Sequence, residues 1–212
     1  ADFTISEYSS SQGLYSAKQS NAENRIMMTW GCSSTGVHSQ NNLTFGIKAS
    51  AQVHYPPTID AILTMATEVD NGTRATTPRC PAGACRASIK FGFISQSPSP
   101  YASAMCGGAA DYAASVGASV VEMANGSSLM HVDKSHSVED VLPLLAQLRS
   151  ARANVLLVCT NTRSAMRIAE ALEMVDYSPL AIAGLNSNTG TGWADDVASG
   201  WWQGEYWGSP TS

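Results

Sequence analysis

Two kinds of apolar pattern alternate along residues 101–184. Residues 101–116, 141–152 and 163–175 carry apolar side chains at helical spacing; in the second of these segments, Val141, Leu144, Leu145 and Leu148 share one face. Residues 118–123, 155–159 and 180–183 are short apolar runs, of which VLLVC is the clearest. This succession predicts βαβ units, and uninterrupted apolar strands predict parallel pairing with helices on both faces of the sheet.

The preceding part of the chain continues the pattern less regularly. It predicts strands at residues 1–5, 25–30, 42–47 and 89–94, and helices at 13–23 and 54–69. Pro56 and Pro57 fit the first turn of the second helix, where amide hydrogens lack helical partners. Residues 70–88 and 125–137 are predicted to be loops, and residues 193–199 to be a short helix. Ser137 and Asp140 have the spacing of a capping box, which predicts the start of the next helix.

Charge and hydropathy narrow the choice of partners. Only 14% of the 212 residues are charged, the net charge is −5, and no basic run exists, so no nucleic-acid partner is expected. No apolar stretch reaches the roughly 18 residues that would span a bilayer. The chain opens on ADFTISEYSSS without a signal peptide, which predicts a mature protein or a fragment.

Glycosylation signals and cysteines point to a secretory or extracellular environment. Asn-X-Ser/Thr sequons occur at Asn42, Asn71 and Asn125, each in a predicted loop. Cys80 and Cys85 bracket the sequence PAGA, which favours a local disulfide; the alternative is two free thiols, which an oxidising compartment would not leave unpaired. Cys159 ends an apolar strand and is predicted to be an inert core residue, like many buried cysteines.

Catalytic and metal-binding signatures are missing from the sequence. It contains no GxSxG, no GxxxxGK[ST] and no GxGxxG, and Gly107-Gly108 falls inside a predicted helix rather than after a strand. The histidines have no partners at zinc-ligand spacing. We therefore expect neither an enzyme, nor a metal site, nor a cofactor.

The order of several segments resembles the type I periplasmic-binding fold, in its leucine-binding-protein-like and receptor ligand-binding forms. These segments are YSSSQG with its helix, RIMMTWGCSST, NNLTFG, IKFGFI, and the block EDVLPLLAQLRSARANVLLV, which is the most specific of them. The resemblance implies an α/β three-layer sandwich with parallel sheets, arranged in two lobes that close over a ligand. It spans nearly the whole chain but only part of such a domain, so the first lobe is expected to be incomplete.

The resemblance also implies a set of ligand-binding residues at strand-to-helix turns. In the first lobe, Ser9 or Ser10 would supply a hydroxyl, Gly31 a backbone contact, and Ser33 an amide and a hydroxyl. A helix N-terminus presents free amide groups and a partial positive charge, which suits a carboxylate. Ligands of open parallel sheets also lie at the carboxyl ends of strands.

From the second lobe, Tyr101, Asn161 and Asn186 would face the same cleft. Amino-acid binders of this family usually place an acidic residue in the turn after the last of these strands, where this chain reads GLNSN. The expected ligand is small and either amino-acid-like or a carboxylate.

The resulting hypothesis is a Venus-flytrap-like sensor domain of a receptor, located outside the cell or in the secretory lumen, as the ectodomain of a membrane protein. The alternatives are a solute-binding protein of a transporter, and a structural or assembly subunit that keeps the fold without binding a ligand. A homo-oligomer or a larger membrane assembly would fit both receptor and subunit. We assign residues 1–70 to the first lobe, 71–88 to a disulfide-bearing insertion, 89–184 to the second lobe and 185–212 to a Trp-rich terminal segment.

Overall fold

A computed structural model describes residues 3–40, 42–76 and 80–184. Its elements are β1 (Phe3–Ile5), α1 (Ser10–Ala22), β2 (Ile26–Thr29), α2 (Thr35–His38), β3 (Thr44–Gly46), a 3-10 turn (Ala51–Val53), α3 (Pro56–Asp70), α4 (Cys85–Ser88), β4 (Lys90–Ser97), α5 (Pro100–Ser115), β5 (Ser119–Val120), β6 (Leu129–Asp133), α6 (Val138–Ser150), β7 (Val155–Cys159), α7 (Thr162–Met174) and β8 (Ala181–Gly184). The short helix expected at residues 193–199 lies outside the described residues.

All strand pairs among the described residues are parallel, as the uninterrupted apolar runs predict. Strands β1, β2 and β3 form a three-stranded sheet in that order. In the second sheet β4 is central: β7 and then β8 lie on one side, and β5 and β6 pair with successive parts of β4 on the other side. The predicted α/β architecture with parallel sheets is therefore confirmed.

The larger sheet is covered on both faces. One core lies between the sheet and helices α3 and α5, and includes the fully buried side chains of Ile59, Phe91, Met105 and Leu157. The other core lies against α6 and α7, and includes Leu145, Leu156 and Ile168. Because every residue of β7 is buried, this strand reads as one continuous apolar run.

The three-stranded sheet is covered on one face by the described residues. Helices α1 and α2 pack against Met27 through Ala17 and Val37. On the opposite face, register places the exposed side chains of Phe3 and Ile5 beside Ile26 and Met28. Helices cover both faces of the larger sheet, but no described element covers this second face of the three-stranded sheet.

Helix α3 packs with the larger sheet, although the sequence assigns it to the first lobe. The side chains of Ile59, Ile62 and Leu63 lie in the same core as Phe91. Just before the helix, Tyr55 is 1% exposed, and its hydroxyl lies 3.0 and 3.2 Å from the carbonyl oxygens of Val158 and Ala183. The domain boundaries stay predictions, and this packing favours a division near residue 50 rather than at 70.

Two elements correct the sequence-based expectations. Residues 129–133 form strand β6, which pairs with β4, within the segment predicted as a polar loop. Its buried residues Met130 and Val132 alternate with the exposed His131, which is the pattern of a sheet edge. Inside the loop predicted at residues 70–88, a short helix, α4, begins at Cys85. The backbone amides of Cys85 and Arg86, at the start of this helix, donate to the carboxylate of Asp70.

The disulfides confirm one prediction and overturn another. Cys80 pairs with Cys85, as the sequence predicts. Cys159 is not an inert thiol: it pairs with Cys106, joining helix α5 to the end of β7, and both residues are fully buried. Cys32 is the free cysteine among the described residues and is buried under α1.

The capping box at Ser137 is confirmed. The Ser137 hydroxyl accepts from the Asp140 amide, and the Asp140 carboxylate accepts from the Ser137 amide at 2.8 Å.

Among the described residues, no helix is both long enough and apolar enough to cross a membrane.

Candidate ligand-binding cleft

A cleft of about 210 Å³ lies between residues that follow strands of the two sheets. Its walls come from the turns that follow β1, β2, β3 and β4, so it lies at the carboxyl ends of parallel strands. It is lined by Tyr8, Ser9, Ser10, Ser11, Gly31, Lys48, Ser99 and Tyr101. Four residues predicted from the sequence, Ser9, Ser10, Gly31 and Tyr101, are therefore brought together.

The N-termini of two helices meet at this cleft from opposite sides. Helix α1 begins after Ser9, whose side chain makes no capping hydrogen bond. Helix α5 begins after Ser99, whose hydroxyl accepts from the Ala102 amide at 3.2 Å. Both N-termini place partial positive charge at the cleft.

Ser10 and Gly31 shape the first-lobe wall. The Ser10 hydroxyl accepts hydrogen bonds from the Ser33 and Ser34 amides, at 3.1 and 3.2 Å, and so ties the first strand-to-helix turn to the second. At Gly31, a Cβ atom would lie 2.5 Å from Cδ2 of Tyr8, so only glycine lets the Tyr8 ring pack there. The glycine requirement thus comes from packing within the first lobe.

Two predicted ligand residues, Ser33 and Asn161, are not among the described residues that line the cleft. Ser33 is fully buried, and its amide is used by Ser10. Asn161 caps α7: its side-chain oxygen accepts from the backbone amide of Ser164 at 2.9 Å. The backbone amide of Asn161 donates to Oε1 of Gln96 at 2.8 Å. Asn186 lies outside the described residues.

Aromatic rings surround the charged residue of the cleft. Lys48 Nζ lies 6.0 Å from the centroid of the Tyr8 ring and 5.7 Å from that of Tyr101, within the range of cation–π attraction. Behind them, the Tyr8 ring lies against Trp30, with centroids 5.2 Å apart. Sequence reasoning missed Lys48, because a single lysine after a short strand resembles any exposed lysine.

His54 supports Tyr101 from the crossover segment. Its Nδ1 lies 3.1 Å from the Tyr101 hydroxyl. Burial lowers the pKa of His54 below its usual value, and the positive charge of Lys48 lowers this pKa further, against a hydrogen bond with Ala49 that raises it. The imidazole is therefore neutral near pH 7.

The described residues contain no group of three or more His, Cys, Asp or Glu side chains that could hold a metal ion. Near the histidines considered from the sequence, the Asp133 amide donates to His136 Nδ1 at 3.3 Å, and the Asp133 carboxylate accepts from Ser135. These contacts close a local turn after β6.

Comparison with solved structures identifies the fold. A periplasmic binding protein from Burkholderia mallei matches with a TM-score of 0.61 at 13% identity, over 86% of this chain and 41% of that one. A branched-chain amino acid transporter protein from Silicibacter pomeroyi matches with a TM-score of 0.58 at 16% identity, over 94% and 46% of the two chains. A solute-binding protein from R. palustris, solved with 4-hydroxybenzoate, matches with a TM-score of 0.57 at 9% identity, over 89% and 44%.

The described chain thus has the type I periplasmic-binding-protein fold expected from the sequence. It spans less than half of the length of these solved structures. No model of a known protein family matches the sequence, and no curated protein matches it.

Proposed function

We propose that the chain is part of a binding protein that closes its two lobes on a small polar or anionic molecule. One observation carries this proposal: the N-termini of α1 and α5 both lie at a cleft that also contains Lys48. Helix α1 follows a strand of the smaller sheet and α5 follows a strand of the larger sheet. Helix N-termini attract anions through their free amides and dipoles. A binding role is supported by the hydroxyl groups and aromatic rings that the described residues present to the same cleft.

The size of the cleft favours a small ligand. Its volume of about 210 Å³ lies below the ~300–1,000 Å³ that is typical of ligand pockets. The solved structures with this fold include one bound to 4-hydroxybenzoate, which is a small aromatic carboxylate. Lobe closure on such a molecule would shift the population from open to closed states, which is the usual output of two-lobed binding proteins.

The test is calorimetric titration of the 212-residue chain with small carboxylates and their neutral amides. Ser9→Asp places a carboxylate at the start of α1 while keeping a favoured N-cap residue, so the helix should persist. We expect Ser9→Asp to weaken carboxylate binding about tenfold or more through like-charge repulsion. The matched control, Ser137→Asp at the N-cap of α6, should bind like the wild type. Equal binding by Ser9→Asp and the wild type, or no binding of any small acid, would contradict the proposal.

For the finer role we propose an extracellular receptor sensor domain rather than a transporter's binding protein. Its support is the set of three sequons, whose asparagines Asn42, Asn71 and Asn125 are all exposed in turns, together with two disulfides, which persist in oxidising compartments. Intact mass before and after glycosidase treatment of the native protein tests this role. A mass that does not fall on treatment would favour the transporter or assembly-subunit alternatives, and sedimentation of the same sample would test the predicted homo-oligomer.

A further inference from the structure

Lys48 occupies a position shared by both sides of the cleft. Lys48 follows β3 and its aromatic neighbour Tyr8 follows β1, and both strands belong to the three-stranded sheet. Tyr101 lies in the first turn of α5, which packs on the larger sheet. The ammonium group lies 6.0 and 5.7 Å from the centroids of these two rings. The flat ring faces hold the charge in the cleft without neutralising it.

The described lining of the cleft contains no side chain that would balance this charge. Lys48 is the one charged residue among those that line it, and no described carboxylate lies at ion-pair distance from Lys48. The two helix N-termini add partial positive charge of the same sign. A ligand that enters therefore meets Lys48, the two helix N-termini, and hydroxyl groups from Ser9, Ser11 and Ser99.

We propose that Lys48 makes the site selective for small carboxylates that lack an ammonium group, and that α-amino acids are discriminated against. The inference deepens the proposed function and rests on it. A carboxylate gains a charge-assisted contact with Lys48 and the helix amides. The ammonium of an α-amino acid would be carried into the same positive region, where it would lose hydration without meeting a described acceptor carboxylate.

The experiment uses ligand pairs that differ only in the α-amino group. These pairs are propionate with alanine, 4-methylpentanoate with leucine, and 3-phenylpropionate with phenylalanine, titrated calorimetrically into the 212-residue chain. We expect the carboxylate that fits best to bind about tenfold or more tightly than its amino acid partner, the usual size of a charged-contact difference. The preference should shrink as salt is added, because the contact is partly exposed.

Three variants assign the preference to Lys48. Lys48→Met keeps the length of the side chain and removes its charge, and should weaken carboxylate binding about tenfold or more. Lys48→Arg keeps the charge and the ring contacts, and should stay within about threefold of the wild type. Lys18 is an exposed lysine of α1 that is not among the residues lining the cleft. Lys18→Met should therefore leave carboxylate binding unchanged.

The outcomes separate this inference from the proposed function. If amino acids bind as tightly as their carboxylate partners, or if Lys48→Met binds carboxylates like the wild type, the selectivity of Lys48 is refuted while ligand binding stands. If the wild-type chain binds no member of any pair, the proposed function fails and the inference fails with it. Loss of binding in both Lys48→Met and Lys48→Arg would indicate a packing role and would also overturn the charge argument.

Discussion

The disulfide between Cys106 and Cys159 should be a major source of stability. It links residues separated by 53 positions, and both cysteines are fully buried. Closing a loop of that length in the unfolded chain lowers its entropy, so the bond should contribute about 4 kcal/mol to the free energy of unfolding. In urea-induced unfolding, we expect the double variant Cys106→Ala/Cys159→Ala to lose about this amount of unfolding free energy. Its m-value should rise, because the unfolded chain is no longer crosslinked and exposes more surface.

The second disulfide provides an internal comparison. Cys80 and Cys85 are five positions apart, and the same loop-entropy relation gives about 2 kcal/mol for Cys80→Ala/Cys85→Ala. Cys32→Ala, at the free buried cysteine, reports the cost of removing one sulfur without a crosslink. If the Cys106/Cys159 pair cost no more than the Cys80/Cys85 pair, after subtraction of the sulfur packing measured at Cys32, loop closure would not explain its contribution.

Three further predictions follow from individual contacts. Gly13→Ala should destabilise the fold by about 1–3 kcal/mol despite better helix propensity, because the new Cβ would lie 2.2 Å from Cys32 Sγ; adding Cys32→Ala should restore part of the loss in thermal unfolding, and no rescue would argue against this contact. The pKa of His54 is lowered in the folded state, so the unfolded chain binds more protons as the pH falls below about 6.5; stability present above that pH should be lost below it, and His54→Gln should flatten the dependence of Tm on pH, whereas an unchanged slope would exclude His54 as its source. Ser137→Ala should cost about 1 kcal/mol by removing the N-cap of α6, and a urea midpoint equal to that of the wild type would contradict this role.

Local sequence signals predict the second half of the fold well. Strand β7 has the predicted bounds, Val155–Cys159, and α7 begins one residue before the predicted start. These elements have strong patterns because both faces of the strand and one whole face of the helix are buried. The capping box at Ser137 was visible for a related reason, since both of its hydrogen bonds form within four residues.

The misses arise where tertiary contacts decide the outcome. Strand β6 carries His131 between its two buried residues and ends on Asp133, and it becomes a strand through pairing with β4. The pairing of Cys106 with Cys159 joins a helix to a strand 53 positions away, and five cysteines leave many pairings open. Neither feature leaves a short-range pattern in the sequence.

The cleft divides in the same way between local and long-range contributions. Ser9 and Ser10 precede or open a helix, so their presence at the cleft follows from turn and cap chemistry that the sequence displays. Lys48 reaches the cleft because β3 lies beside β2 and the crossover then brings α5 close, where Gly108 lets the helix approach the backbone of Gln52. The helix starts support the proposed anion site, whereas the strand order of the smaller sheet and the crossover to α5 place the lysine to which we assign the proposed choice between acids and amino acids. The proposed selectivity therefore depends on the assembled cleft, and substitutions at Lys48 test it more directly than substitutions in the serine turn.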